Sequence, residues 1–191
     1  MKRMVGMMFA ALLLISALAG CSFSSKANGI ILYGDHKQVQ DGIAKYKSEL
    51  KSSDIYKVKI TKANDKKMMV MDKSTAEALM KKGLLKEVDS SNDTKAISSL
   101  PDVTDHNGLL FAKDQKKDIK LNGTDLKYKG NIIIGDARVY TDMFAVVADS
   151  DWPKVNGKEK AVGIMHFNKD PKEEIGSIKQ VDWNQLVKIK N

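Results

Sequence analysis

From Gly29 onward the chain alternates short apolar runs with polar punctuation, and most of its elements can be read from that rhythm. Gly29-Ile30-Ile31-Leu32-Tyr33 is a continuous apolar run of strand length, closed by Gly34-Asp35. Val39, Ile43, Tyr46 and Leu50 then recur at three- and four-residue spacing. That spacing predicts a helix from about His36 to Lys51, with Asp35 at its start as the cap. Tyr56, Val58 and Ile60 alternate with Lys57, Lys59 and Thr61, the pattern of a half-exposed strand. Asn64-Asp65 turns the chain into a second buried strand, Met68 to Met71. Ser74-x-x-Glu77 reads as a capping box that opens a helix carrying Ala76, Leu79 and Met80. Gly83 stands where that helix should stop.

Between Asp89 and Asp105 the pattern dissolves into Ser, Asn, Asp and Thr around Leu100-Pro101, which predicts the longest loop and a candidate binding loop. Leu109 to Phe111 is a short strand. Asp118 to Leu121 and Leu126 to Lys129 flank Asn122-Gly123, the favoured pair for a tight hairpin turn. Asn131 to Ile134, Met143 to Ala148 and Val162 to Phe167 predict three more strands. Trp152-Pro153 predicts a turn or short helix, Pro171 opens a helix to about Ile178, and Val181 to Ile189 fits either a helix or a strand. Strands outnumber helices and often follow one another directly. The expected fold is α+β, mainly antiparallel sheet with two to four helices. Two internal echoes accompany it. Ile30 to Asp35 resembles Ile132 to Asp136, and Val70 to Ser74 resembles Val147 to Asp151, without a fixed period.

The N-terminus follows different rules. Lys2 and Arg3 precede an apolar run from Met4 to Ala19, about 16 residues, which is shorter than the roughly 20 that a spanning helix needs. The run ends in Leu18-Ala19-Gly20-Cys21, a small-residue cleavage site followed at once by the chain's single cysteine. This segment resembles the lipobox signal of bacterial lipoproteins. The resemblance implies that residues 1–20 are a signal peptide and that Cys21 carries diacylglycerol and becomes the mature N-terminus, on the extracytoplasmic face of the cell membrane. Residues 21–29 then form a polar tether averaging roughly 15 Å, and residues 30–191 a single extracytoplasmic domain.

The formal net charge is +8, and removing Lys2 and Arg3 leaves +6. The only arginines are Arg3 and Arg138, a lysine bias common in AT-rich genomes that points to a low-GC Gram-positive host. Lysines alternate with acids, as in Lys86-Glu87 and Lys169-Asp170, and arginine, the usual base-reading side chain, is nearly absent. Nucleic acid is therefore not an expected partner. The excess charge suits a solvated surface, or the neighbourhood of anionic lipid heads and wall polymers. With Cys21 lipidated, no internal disulfide can form, so packing alone holds the domain.

Chemistry-bearing clusters are sparse. Gly34-Asp35-His36 sits at a strand end, where metallophosphatases place ligands, but three histidines in the chain are too few for a two-metal centre. His106 follows Asp102 and Asp105 in the long loop, and a metal site there would need three convergent ligands. His166 is expected to point outward from a half-buried strand. No nucleophile elbow, P-loop or glycine-rich dinucleotide turn is present. Neither a catalytic residue, a metal nor a cofactor is expected. Met68, Met69, Met71 and Met80 cluster on one strand and helix and either fill the core or line a groove for amphipathic peptides. Trp152 and Trp183 lie in polar contexts and, with His106, are the candidate interface residues.

The segments Met68 to Lys82 and Phe144 to Lys158 resemble pieces of the extracellular domain of ABC permeases that detoxify peptide antibiotics. Small lantibiotic-immunity lipoproteins are similar in size and layout. The resemblance implies a non-catalytic binding or accessory lipoprotein that senses or sequesters membrane-active peptides or assists a membrane transporter. A structural or developmental envelope role, or an envelope hydrolase built on Asp35, Asp102, Asp105 and His106, are the alternatives.

Overall fold

The computed structural model describes residues 27–115 and 117–190. The expected signal segment, Cys21 and the tether up to residue 26 lie outside the described residues. The elements in chain order are β1 (Gly29–Gly34), α1 (His36–Lys45), β2 (Leu50–Ala63), β3 (Lys66–Asp72), α2 (Lys73–Lys81), β4 (Leu85–Val88), β5 (Thr94–Ala96) and β6 (Asn107–Ala112). They continue with β7 (Ile119–Leu121), β8 (Thr124–Tyr128), β9 (Ile132–Ile134), β10 (Met143–Val147), β11 (Lys158–Phe167) and β12 (Trp183–Val187). Single 3-10 turns occur at Lys47–Glu49, Trp152–Lys154 and Ile175–Ser177.

Nine strands form one sheet in the order β12-β1-β11-β2-β3-β10-β6-β8-β7, and β5-β4-β9 form a second, smaller sheet. Pairing is antiparallel except between β3 and β10 and between β6 and β8. The architecture is a sheet-dominated α+β fold with two α-helices among the described residues. No helix among the described residues is long and apolar enough to cross a membrane.

Strand alternation sorts the apolar residues onto the two faces of the large sheet. Ile31, Tyr33, Met69, Met71, Phe111, Phe144 and Val146 face α2 and the small sheet, where Leu79, Leu85, Ile132 and Ile134 close the main core. Ile30, Leu32 and Met165 face α1 through Val39 and Ile43. Met68, Val70, Leu110, Met143 and Ala145 share the remaining cluster with Val155 and the half-buried Trp152. Met68, Met69 and Met71 are at most 1% exposed and split between two clusters, so this part of the methionine group fills core.

Several local expectations hold. Asn64 and Asp65 at φ 49° and 62° turn β2 into β3, and Asn122-Gly123 closes the β7–β8 hairpin. Gly83 at φ 70° ends α2 while its N–H bonds Met80 O and Leu84 N–H bonds Leu79 O, a Schellman ending.

Others are corrected. The first helix stops at Lys45 rather than Lys51, because Leu50 is drawn into β2 and pairs with Phe167. The Ser74-x-x-Glu77 capping box does not form. Asp72 caps α2 by accepting Thr75 N–H at 2.7 Å, and Ser74 gives its N–H to Asp149 instead. Pro171 opens turns and one 3-10 turn, not an α-helix. The tail is a strand, β12. The long loop is interrupted by β5. His166 is not an outward position: it is 8% exposed and its Nε2 lies 3.2 Å from Asn28 Nδ2. Asn28 also exchanges two hydrogen bonds with the Ile189 backbone.

Candidate functional site

At the end of β1 away from Asn28, the strand delivers Tyr33 and then Asp35 to a point where β11, β12 and the loop between β9 and β10 meet. Tyr33 is buried, and its ring stacks on Tyr140 of that loop with centroids 4.8 Å apart. Gln185 of β12 holds the Tyr33 hydroxyl at 2.8 Å and donates also to Ile134 O. Gly135 can be only glycine here: φ is 79°, and a Cβ would sit 2.6 Å from the Gln185 side-chain oxygen.

Lys160 of β11 is the electrostatic hub. Its ammonium bridges Asp182 at 2.7 Å and Asp35 at 3.0 Å, with the side chain only 9% exposed. Tyr140 donates its hydroxyl to Asp182 at 2.8 Å. Burial opposes the charge of Lys160, but its two carboxylates outweigh that and raise its pKa. Burial likewise opposes ionised Asp182, yet Lys160 and Tyr140 hold its carboxyl below the usual range. Burial pushes the phenols of Tyr33 and Tyr140 far above theirs, so both stay neutral, Tyr33 accepting from Gln185 and Tyr140 donating to Asp182.

The loop itself is clamped by Arg138, which donates to Asn131 Oδ1, Ile132 O and Asp142 O at 2.8, 2.9 and 3.2 Å. Lys67 of β3 lies 3.6 Å from the Tyr140 ring centroid, a cation–π contact. Burial, with Lys160 adding to it, lowers the Lys67 pKa. Lys67, Arg138, Val139, Tyr140, Thr141 and Asp142 line a groove of about 330 Å³. A second hollow of about 330 Å³ is lined by His36, Lys57, Glu159 and Lys160. Trp183 stands directly opposite Tyr33 in the β1–β12 register, which puts its side chain on the same face. At 49% exposure it is the exposed large hydrophobic residue of the described chain, on the terminal strand of the sheet.

A model of an uncharacterised lipoprotein family matches residues 27–190 of the sequence. The chain belongs to this family. A crystal structure of a candidate lipoprotein from Bacillus anthracis is similar to it, with 38% identity, a TM-score of 0.81, and coverage of 86% of this chain and 100% of that one. Comparison with curated proteins gave no match.

In the lipoprotein, the residues expected to form an interface divide. Trp183 is exposed on β12 opposite Tyr33, whose ring stacks on Tyr140 of the groove wall. Trp152 is half-buried, with Lys59 4.4 Å from its ring centroid. His106 is exposed, but in a different place. Its φ of 62° turns its N–H onto the buried Asp151 at 2.6 Å, and Lys154 joins the same carboxylate at 3.0 Å. Asp105 accepts from Ser150. Asp35 meets Lys158 and Lys160 instead, so the acids and histidine of the supposed hydrolase do not converge. Among the described residues no group of three or more His, Cys, Asp and Glu side chains is placed to hold a metal ion. Tyr33, Lys67, Tyr140, Lys160 and Asp182 were not foreseen. Each reads locally as an ordinary strand or loop residue, and only the sheet order joins them.

The same groups fix how the lipoprotein responds to acid. Asp149, held by Ser74, Asp151, held by His106 N–H and Lys154, and Asp182 all have depressed pKa values. The folded state therefore binds fewer protons than the unfolded chain. Their contribution is complete above the ordinary aspartate range near about pH 4 and is lost as pH falls through the folded values. His166, lowered first by burial and then by Lys51, Lys82 and Lys188, has the same sign. Its loss begins higher, below about pH 6.5. Urea midpoints measured across acidic pH should fall in two stages, and His166→Asn should flatten the upper one.

Proposed function

We propose that this is a membrane-anchored extracytoplasmic lipoprotein, held by diacylglycerol on Cys21, that binds a membrane-active peptide or an exposed segment of a membrane transporter without chemically changing it. The observation that carries the reading is Trp183, half exposed on the edge strand opposite Tyr33, whose ring stacks on Tyr140 in the wall of a groove that is already fixed. Lys160, Asp182 and Tyr140 spend their polar groups on one another, and Arg138 spends its own on Asn131, Ile132 O and Asp142 O, which gives a pre-organised surface. Aromatic residues at such places are the usual anchors of recognition, and an edge strand can accept an extended segment alongside it. Family membership supports the anchor, since the family is one of lipoproteins.

The test is a fluorescence titration of the purified protein with amphipathic cell-envelope peptides. The expected result is a saturable signal, read from a dye on the peptide so that every variant reports, with affinity lowered at least about tenfold in Trp183→Ala, about the loss of one interface anchor, and unchanged in Trp152→Phe. Equal affinity in all three proteins would remove the site. Lack of binding by every peptide, together with an unchanged permease complement in a deletion strain, would remove the function.

A further inference from the structure

The end of the domain where the tether arrives carries four lysines from three separate parts of the chain: β2, the end of α2 and the segment after β12. Asn28 enters between β11 and β12: its N–H bonds Val187 O, and Phe167 N–H bonds its carbonyl. Lys51 lies in the bulge where β2 pairs with His166 and Phe167. Lys188 and Lys190 leave β12 beside Ile189, which Asn28 holds. Lys82 ends α2, and its carbonyl accepts Lys190 N–H at 2.9 Å. Lys51, Lys188 and Lys190 are exposed. Lys82 is half-buried and bonds Asp54 at 2.8 Å, the acid that partly offsets the group. His166 sits among them, and Lys51, Lys82 and Lys188 all act on it electrostatically.

We propose that this face docks flat on the anionic headgroups of the membrane to which the chain is anchored, and so holds the Tyr140–Trp183 groove outward. The inference rests on the lipid anchor proposed above. Six residue steps separate Cys21 from Ala27, and a chain covers at most about 3.5 Å per residue, so this end cannot lie more than about 20 Å from the lipid. The groove is at the opposite end of the six-residue β1, another about 20 Å away. Anionic headgroups attract lysines close to the surface strongly enough to change partitioning about fivefold for each. The geometry thus orients the domain as well as retaining it.

The experiment is amine-reactive footprinting of the full-length protein, purified from membranes and reconstituted in vesicles of phosphatidylglycerol or of phosphatidylcholine. Labelling of Lys51, Lys188 and Lys190 should fall at least about fivefold on phosphatidylglycerol, while Lys37 and Lys158 at other faces stay unchanged. Salt, or Lys188→Glu with Lys190→Glu, should abolish the difference. Equal labelling on both vesicles, or equal protection by a soluble glycerol-phosphate polymer, would overturn the proposal. Protein that floats with phosphatidylcholine has its anchor whatever the lysines do. Protein that floats with neither vesicle loses both readings, and protein that floats only with phosphatidylglycerol keeps the lysine face and loses the anchor.

Discussion

Lys59→Met should lower the stability of this domain by about 3 kcal/mol, the largest effect expected of any single lysine. Lys59 is only 7% exposed, and its ammonium donates to Trp152 O, Pro153 O and Val155 O at 3.0, 3.2 and 2.9 Å. All three of its donors are therefore used, and the segment leading into β11 is pinned to β2. Methionine keeps the aliphatic stem but takes the ammonium from all three carbonyls, of which Trp152 O keeps only Val155 N–H, and it removes the cation from the Trp152 face. Leaving buried polar groups unmatched costs more than the net worth of each bond. The exposed neighbour Lys57→Met is the control and should change stability by less than about 0.5 kcal/mol. Urea denaturation of the three proteins decides the matter. Equal midpoints for Lys59→Met and the parent would show that water replaces the clamp at no cost.

Cys21→Ser should abolish membrane retention of the cleaved, mature protein. Serine has no thiol for the lipid, so the precursor either stays uncleaved or is released. One acyl chain binds a membrane only marginally and two hold it, which makes the change close to all-or-none. Fractionation followed by intact mass measurement separates the outcomes. The parent should show a mature N-terminus at Cys21 carrying two acyl groups. A Cys21→Ser protein that is cleaved normally and remains on the membrane would contradict the anchor.

The strands and tight turns of this lipoprotein were legible because their causes are local. Asn122-Gly123 closes a hairpin whatever surrounds it, and Ile30 to Tyr33 is too apolar to be anything but buried. What failed was decided at long range. Leu50 continues the helical spacing of Val39, Ile43 and Tyr46, yet pairing with Phe167 takes it into β2. Ser74 has the right neighbour for a capping box, but Asp149, 75 residues away, claims it while Asp72 caps the helix. Lys59 follows the alternation of an exposed strand and is buried because the Trp152 turn folds over it.

The site shows the same division. Trp183 was visible as an aromatic residue in polar surroundings. Lys160, Tyr140 and Asp182 were not, since a lysine on a strand, a tyrosine in a loop and an aspartate before a strand acquire meaning only when β12, β1 and β11 lie side by side. Trp152 had the same local signature as Trp183 and went the other way.

The most direct test of a membrane-anchored binding role is photo-crosslinking in cells, with the lipidated protein carrying a photoreactive residue at position 183 and, in a second strain, at position 37 on the far helix. The account predicts that position 183 captures one dominant peptide or membrane transporter that position 37 does not. Identical background from both positions, consisting only of lipids and abundant envelope proteins, would contradict it.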